Sequence, residues 1–407
     1  MNSYLVIILT LVVSALNFLY SMLNTRFLGV SDIGIYSLLI QSINTIILIS
    51  DFGLSTAFLK FYTLAFKKDI KESRRVLANS IYVKSLISSG LMIIFLLIFP
   101  FIKNHFETGT KEIILTLLTL LTIGNSELIM SKYRSEQNFK KFFMYKFLFS
   151  LLRILPMIGL YYLGKYNLSS AIGIFSYSSV VIILILLFSE RNSIKKIPFD
   201  KTFITELLHF SKWIFISNLA LAFLTNGTFE LYLLKNYADK KELGLFSSLL
   251  IFFTILSVLN TSLTTLFFPK FAGIEDKKIL NIEVRKAFKM GVIISIPLIF
   301  LIPLMELFIK ISIGEGFVEA VNPARLLVLG FFIELSSQVY RLVLYINENK
   351  KIAFINLFQF IGSIVLGFIL IAIFDLGIWG AVISIIVVRI IGAYFMVFYA
   401  KKSIRGN

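Results

Sequence analysis

Long apolar runs alternate with short polar connections along the whole chain. A helix that crosses a bilayer needs about 20 consecutive apolar residues, and twelve segments meet this requirement. They lie near residues 4–25, 35–62, 78–102, 113–131, 147–163, 168–188, 213–234, 244–268, 290–309, 323–340, 352–374 and 376–400. The pattern predicts an all-α integral membrane protein with about 12 transmembrane helices. The first run has no basic segment before it and no small-residue cleavage site, so it is expected to remain as a helix.

The composition agrees with a protein solvated by lipid. Apolar residues make up 57% of the 407 residues and charged residues 15%, whereas soluble domains are about 25% charged. The mean hydropathy is +0.87. The chain has no cysteine, which excludes disulfides, thiolate metal sites and iron–sulfur clusters.

The charges divide unequally between the two sets of connections. One set holds 27 basic and 10 acidic residues, and the opposite set holds 9 basic and 8 acidic ones. We call the first the basic side; its connections lie near residues 67–75, 132–146, 191–212, 270–289, 341–351 and 401–405. The positive-inside rule predicts that the basic side, with both termini, is cytoplasmic. The net charge of +17 is then a topology signal, and nucleic acid is not an expected partner.

The two halves of the sequence resemble each other. The run Ser-Asp-Ile-Gly-Ile-Tyr-Ser at 31–37 matches Lys-Glu-Leu-Gly-Leu-Phe-Ser at 241–247, at an offset of 210 residues. We therefore predict an N-terminal six-helix lobe at 1–190, a cytoplasmic linker loop at 191–212 and a C-terminal six-helix lobe at 213–407. Parallel repeats of this kind are related by a pseudo-two-fold axis along the membrane normal and are typical of alternating-access transporters.

Charged residues inside the predicted spans are the main candidates for function, because each costs about 2.5–3.5 kcal/mol at the bilayer centre. The basic ones are Lys60, Lys84, Arg153 and Arg389, and the acidic ones are Asp51, Glu127, Glu230, Glu306 and Glu334. They are expected to face a wet cavity or a partner of opposite charge.

Arg153 lies near mid-depth of the fifth span, with no acidic residue within reach on its own helix. It is either an anchor for an anionic substrate or the partner of Glu127 or Asp51. Lys84 and Lys60 either face the same cavity or extend to the basic side.

The buried carboxylates are candidates for ion coupling. Glu127 and Arg134 are seven residues apart, and the second half repeats them as Glu334 and Arg341. Such a pair either closes the basic side or takes up a proton or sodium ion. The run from Gly159 to Lys165 fits the spacing of a P-loop but lacks its Ser/Thr and a preceding strand, so ATP hydrolysis is not expected.

Several stretches together resemble the bacterial polysaccharide flippase family, which belongs to the superfamily of the multidrug and toxic-compound extrusion transporters. They are Arg26-Phe-Leu-Gly29, Asp32-Ile-Gly34-Ile-Tyr36, Asp51-Phe-Gly53-Leu and Lys60. Lys60 stands where many members have arginine. Members often carry an Asp-Arg pair late in the seventh helix, whereas here Glu230 is followed by Leu231.

This resemblance implies two six-helix lobes around a central cavity and no enzymatic activity. It implies translocation of an undecaprenyl-pyrophosphate-linked oligosaccharide across the bacterial inner membrane for O-antigen or capsule synthesis, with glycan polymerase machinery as a partner and no cofactor or metal. We predict that the anionic substrate meets Arg153, Lys84, Lys60 and Arg389. The coupling ion, a proton or sodium, is predicted at Glu127, Glu230, Asp51 or Glu334.

Three other functions fit parts of the pattern. A drug or cation antiporter of the same superfamily would need a site rich in carboxylates. A membrane glycan polymerase or glycosyltransferase would need a large outer domain, which the short outer loops do not provide. A scaffold of a glycan-assembly complex would not need buried charges.

Overall fold

The computed structural model describes residues 3–102, 109–191, 199–211, 215, 227–272, 274 and 276–405, and every regular element within these ranges is helical. The first half contains α1 (Ser3–Asp51), α2 (Leu54–Lys68), α3 (Ile70–Ile102), α4 (Thr110–Ser135), α5 (Phe139–Tyr162), α6 (Leu168–Ser189) and α7 (201–211). The second half contains α8 (Thr228–Tyr237), α9 (Lys240–Ala272), α10 (Lys277–Leu301), α11 (Met305–Ser312), α12 (Val321–Asn347), α13 (Asn349–Gly367) and α14 (Gly377–Arg405). A 3-10 turn (Glu315–Ala320) precedes α12, and a π-helical turn (Phe368–Ile373) extends α13.

The membrane-spanning helices agree with the predicted all-α membrane fold. Nine helices of the described ranges are long and apolar enough to span a bilayer, and the pair α10–α11, bent by 75°, makes a tenth candidate. The 49 residues of α1 would measure about 73 Å if straight, more than twice the hydrocarbon thickness. A kink at Gly29, where φ is 73°, divides α1 into the first two predicted spans. The seventh predicted span lies mostly outside the described residues.

Two predicted spans are interrupted rather than continuous. The span predicted at 35–62 breaks between α1 and α2, where Phe52 and Gly53 both have positive φ angles of 45° and 72°. The span predicted at 290–309 bends at residues 302–304, between α10 and α11. Apolar periodicity cannot reveal such breaks, because the hydropathy stays high across them.

The chain folds into two compact units. The first consists of Met1–Tyr20 and Ile35–Ala222, and the second of Ser21–Gly34 and Phe223–Asn407. The prediction placed all of residues 1–190 in one lobe, whereas in the structure residues 21–34 belong to the second unit.

Part of the predicted linker at 191–212 is helical. Asp200 caps the start of α7, since its carboxylate accepts hydrogen bonds from the amides of Thr202 at 3.1 Å and Phe203 at 3.2 Å. Ile204 and Leu207 of α7 are buried against Leu54, Ala57 and Val83 of α2 and α3. α7 is therefore part of the core of the first unit.

Each unit has one helix at its centre. In the first unit, α4 packs along α6 and also contacts α2, α3 and α5. In the second unit, α12 packs along α14, α10 and α9. Large apolar side chains such as Leu97, Phe188 and Phe354 are at least 70% exposed, as expected for surfaces that face lipid.

The P-loop-like spacing has a structural explanation. The amide of Leu163 donates to the carbonyl of Gly159 at 3.2 Å, and that of Lys165 donates to Leu160 at 2.9 Å. Gly164 has a φ of 65°, the left-handed conformation in which helices commonly end. The glycine after α5 thus terminates a helix.

The glycines of the repeated motif meet each other within the second unit. A Cβ atom added to Gly34 would lie 3.1 Å from the amide nitrogen of Gly244. A Cβ atom added to Gly244 would overlap the carbonyl oxygen of Val30. The motif therefore allows two backbones to cross in direct contact, and the tighter side of the crossing is at Gly244.

Gly244→Ala is expected to lower the free energy of unfolding by roughly 3 kcal/mol, because backbone must move to admit the methyl group. Gly34→Ala is expected to cost less, since its neighbours need to move only slightly. Gly90→Ala is the control: its Cβ would meet nothing within 4 Å, and helix propensity favours alanine. Thermal unfolding of the three purified variants measures the order, and equal stability of Gly244→Ala and Gly90→Ala would contradict the crossing.

Candidate functional site

A polar stripe runs along α5 in the first unit. Lys146, Ser150 and Arg153 are spaced by four and three residues, which places them on one helix face. The Lys146 ammonium donates to Glu127 of α4 at 2.5 Å. The Ser150 hydroxyl donates to the side-chain oxygen of Asn17 of α1 at 3.2 Å. The stripe extends from the basic side to about the middle of the helix, where it ends at Arg153.

Arg153 lies among aromatic faces instead of carboxylates. Its guanidinium carbon is 3.9 Å from the ring centroid of Phe149, 4.6 Å from that of Phe175 and 5.8 Å from that of Tyr20. Its Nε atom donates to the Ser178 hydroxyl at 3.4 Å. Within the described ranges, no aspartate or glutamate lies within 4 Å of this guanidinium, so nearby rings and a hydroxyl stabilise a cation without neutralising it.

Two further tyrosines, Tyr36 and Tyr166, lie next to Tyr20 and extend the aromatic surroundings of Arg153. The hydroxyls of Tyr20 and Tyr36 are 2.9 Å apart and buried. Tyr166, in the connection between α5 and α6, lies within electrostatic range of Tyr20, and burial raises the pKa of its phenol above the usual value. The phenol of Tyr166 therefore stays protonated and neutral and leaves the charge of Arg153 unchanged.

Both carboxylates that could have paired with Arg153 have other partners. Glu127 contacts Lys146 as described, and Asp51 forms an ion pair with Lys84. Lys84 is fully buried at 1% exposure, so it does not extend to the basic side as one expectation had it. Arg153 therefore does not form the ion pair with Glu127 or Asp51 that was one of its two predicted roles.

Lys60 is exposed on α2 and packs against aromatic rings. Its ammonium is 4.0 Å from the ring centroid of Phe210 on α7 and 5.8 Å from that of Phe61. The structure thus places Lys60 on the contact between α2 and α7.

The second unit contains a buried cluster of opposite charges on α12 and α14. Arg389 forms an ion pair with Glu334, and Arg341 lies 3.9 Å from the same carboxylate. All three residues are less than 10% exposed. Glu334 is therefore the counter-ion of both arginines. The predicted substrate residue Arg389 is thus paired with the predicted ion-coupling residue Glu334.

Glu230 is buried at the start of α8, with 1% exposure. The hydroxyl of Ser363 on α13 donates to its carboxylate at 2.5 Å. Within the described residues, no ion pair to Glu230 lies within 4 Å. Ser363 continues a stripe with Gln359 and Asn356 on one face of α13; all three are buried.

The stripe on α13 has unused hydrogen-bonding capacity. Both amide atoms of Asn356 and the amide oxygen of Gln359 are buried without a partner in the described structure. Buried polar atoms usually bind water or an ion when protein does not satisfy them. The second unit thus has unsatisfied polar atoms on the same helix face as the hydroxyl that contacts Glu230. No group of three acidic or histidine residues suited to a metal occurs among the described residues.

Several of these residues were not recognised from the sequence. Lys146 was counted with the basic loops because it is near the end of the predicted span, and Ser150 and Asn17 carried no charge to attract notice. The spacing of four and three along α5 was a usable signal. No local pattern indicated the pairing of Lys84 with Asp51, because 33 residues separate them along the chain.

Comparisons with known proteins agree with the fold. The chain resembles a solved inward-facing multidrug-resistance MATE transporter of the MOP superfamily, with 15% identity, a TM-score of 0.76 and 98% of each chain covered. It also resembles a solved lipid II flippase, MurJ, in an inward closed conformation, with 20% identity, a TM-score of 0.73, and 98% of this chain and 88% of that chain covered. The chain therefore has the same fold as these two solved transporters.

Sequence comparison finds a relative and a family for the chain. A Shigella flexneri protein provisionally assigned as an O-antigen transporter is 23% identical over 235 residues, 56% of this chain. The match spans 55% of that relative's own length. The profile of the family described as polysaccharide biosynthesis protein matches residues 23–322. The chain therefore belongs to this polysaccharide biosynthesis protein family.

Proposed function

We propose that this protein is a flippase for undecaprenyl-pyrophosphate-linked oligosaccharide repeat units. It moves them from the inner to the outer leaflet of the bacterial inner membrane, for O-antigen or capsule synthesis, with its basic side and both termini in the cytoplasm. The observation that carries this proposal is Arg153, a guanidinium near the middle of the apolar helix α5 with no carboxylate within 4 Å in the described ranges. Family membership supports a role in polysaccharide synthesis.

The chemistry of Arg153 fits a pyrophosphate. An arginine keeps its charge in a poorly hydrated environment and donates in a fork geometry that matches phosphate oxygens. Lys84 and Arg389 are each joined to a carboxylate, so they contribute less net attraction for an anion. We therefore assign the main substrate contact to Arg153, with Lys60 as a further cation nearer the basic side.

Coupling to a proton or sodium gradient is assigned first to Glu230. Glu127, Asp51 and Glu334 each form an ion pair, so a coupling ion would have to displace a basic side chain there. Glu230 instead accepts a hydroxyl hydrogen bond and lies near the stripe of buried amides on α13. A carboxylate with such neighbours can bind a proton or a sodium ion without breaking an ion pair.

The second candidate function is antiport of an organic cation. The same observation at Glu230 favours it, because a buried carboxylate with a hydroxyl neighbour can also accept a cationic drug. Arg153 argues against this function, since a cationic substrate gains nothing from an uncompensated arginine. The two functions differ in the sign of the substrate's charge.

Lipid analysis of a strain that lacks this protein tests the proposal. We expect a complete lipid-linked repeat unit to accumulate, detected by mass spectrometry, together with loss of surface polysaccharide. Complementation with the intact gene should reverse both changes. An unchanged lipid pool with normal surface polysaccharide would remove the glycan assignment and leave cation antiport as the leading function.

A further inference from the structure

The break between α1 and α2 brings two helix ends together inside the first unit. α1 ends at Asp51, α2 begins at Leu54, and the two residues between them are in left-handed conformations. The negative end of one helix dipole and the positive end of the next therefore meet at this point. In secondary transporters, helices interrupted within the membrane commonly form ion sites.

The break is occupied by a lysine side chain. The Lys84 ammonium forms an ion pair with Asp51 and donates to the Ser55 hydroxyl at 3.0 Å. Asp51 also accepts from the Ser55 hydroxyl at 2.5 Å and from the Ser55 amide at 3.3 Å. The Lys84 side chain is only 2% exposed. A carboxylate and a hydroxyl oxygen thus hold a compact single positive charge, as they would hold a monovalent metal ion.

The neighbouring helix is shaped to admit this lysine. A Cβ atom on Gly124 of α4 would lie 3.1 Å from Cε of Lys84, so glycine leaves room for the lysine stem. Asn125, the next residue, donates to the Ser85 hydroxyl at 3.1 Å. The side-chain oxygen of Asn125 and the hydroxyl of Ser88 are buried without a partner in the described structure. This part of the first unit therefore contains polar atoms beyond the two that contact the Lys84 ammonium.

The second half of the sequence does not repeat this arrangement. At the repeat offset of 210, the positions that correspond to Asp51 and Lys84 are Thr261 and Ile294. Glu230 of the second unit contacts a hydroxyl, whereas Glu334 of the same unit is paired with arginines. The lysine–aspartate pair at the helix break is therefore particular to the first half of the sequence.

We propose that the Lys84 ammonium is a resident cation, occupying a site that would otherwise bind an exchangeable monovalent cation such as sodium. Lys84 then acts on Asp51 and the helix break, in place of the direct substrate contact predicted from the sequence. The counter-ion of Asp51 is then a side chain of the protein itself, and the first unit does not exchange it during transport. Only the consequence for coupling, that the exchangeable ion belongs to the second unit, depends on the proposed function.

Removing the lysine stem tests this inference directly. Lys84→Ala deletes Cγ, Cδ, Cε and Nζ, a fragment equivalent to propylammonium, and leaves Asp51 and Ser55 in place. The thermal midpoint of the purified protein is measured in sodium chloride, propylammonium chloride and choline chloride at equal ionic strength. Choline is too large to enter the vacated space.

The expected result is a saturable increase of about 5 °C or more for Lys84→Ala in sodium or propylammonium relative to choline. This increase should exceed that of the wild type and disappear in the double variant Asp51→Asn with Lys84→Ala. If Lys84→Ala folds only when sodium or propylammonium is present during purification, that outcome also supports the proposal.

Two outcomes would overturn the proposal. One is a folded Lys84→Ala protein whose midpoints respond to the three salts as the wild type does. The other is a Lys84→Ala protein that no cation restores while the double variant, which lacks the unpaired carboxylate, folds normally. Because the measurement uses no glycan, its failure is distinguishable from failure of the flippase proposal.

Discussion

Arg153→Ala is expected to reduce glycan export roughly 30-fold or more while the protein remains folded. Deleting one partner of a desolvated charged hydrogen bond typically costs 2–5 kcal/mol or more, and the structure offers no other uncompensated cation on the polar stripe of α5. Because no described carboxylate within 4 Å depends on Arg153, the alanine variant leaves no buried charge without its partner. The loss should therefore appear in transport and leave expression unchanged.

Surface polysaccharide in a complemented deletion strain measures this effect. Arg153→Lys should restore export only in part, since lysine keeps the charge but loses the fork geometry. Leu155→Ala is the matched control on the same helix, because Leu155 is 62% exposed on the lipid side. Normal export by Arg153→Ala at wild-type protein level would mean that the anion contacts other residues.

Glu334→Gln is expected to destabilise the protein by about 3–5 kcal/mol, the usual cost of breaking a buried ion pair. The substitution removes the carboxylate that serves both Arg389 and Arg341. Arg389→Gln should cost less, because Glu334 keeps Arg341 at 3.9 Å. The order of the two variants therefore tests whether Glu334 is the centre of the cluster.

The yield and thermal midpoint of purified protein report this order. Glu306→Gln is the control, since the Glu306–Lys310 pair is exposed, with 50% and 42% of the two side chains accessible. Exposed pairs contribute at most about 1 kcal/mol. If Glu334→Gln were as stable as Glu306→Gln, the buried cluster would not be a stabilising element.

Apolar periodicity predicted most of the fold, because a bilayer requires each span to be long and apolar throughout. The breaks at Phe52–Gly53 and at residues 302–304 were not predicted, since they change backbone direction without changing hydropathy. The kink at Gly29 fell between two predicted spans, whereas the assignment of residues 21–34 to the second unit depends on tertiary packing that no local pattern encodes.

The candidate site was predictable in its residue types but not in its partnerships. The cost of burying charge identified Arg153, Lys84, Arg389 and the buried carboxylates as a group. Which charges neutralise one another depends on contacts between residues as far apart as Arg389 and Glu334, 55 positions along the chain. The sequence therefore placed Lys84 and Arg389 with Arg153 in one predicted substrate site, whereas in the structure only Lys84 and Arg389 of these three are paired with carboxylates among the described residues.

Translocation by purified protein in proteoliposomes is the most direct test of the flippase function. Undecaprenyl-pyrophosphate-linked oligosaccharide is placed in the inner leaflet, and its arrival outside is followed with a membrane-impermeant glycosidase under an imposed proton or sodium gradient. The account predicts rapid arrival with the wild type, arrival at the protein-free rate with Arg153→Ala, and loss of gradient dependence with Glu230→Gln. Arrival at the protein-free rate with the wild type, in vesicles that exchange an organic cation against the same gradient, would contradict it.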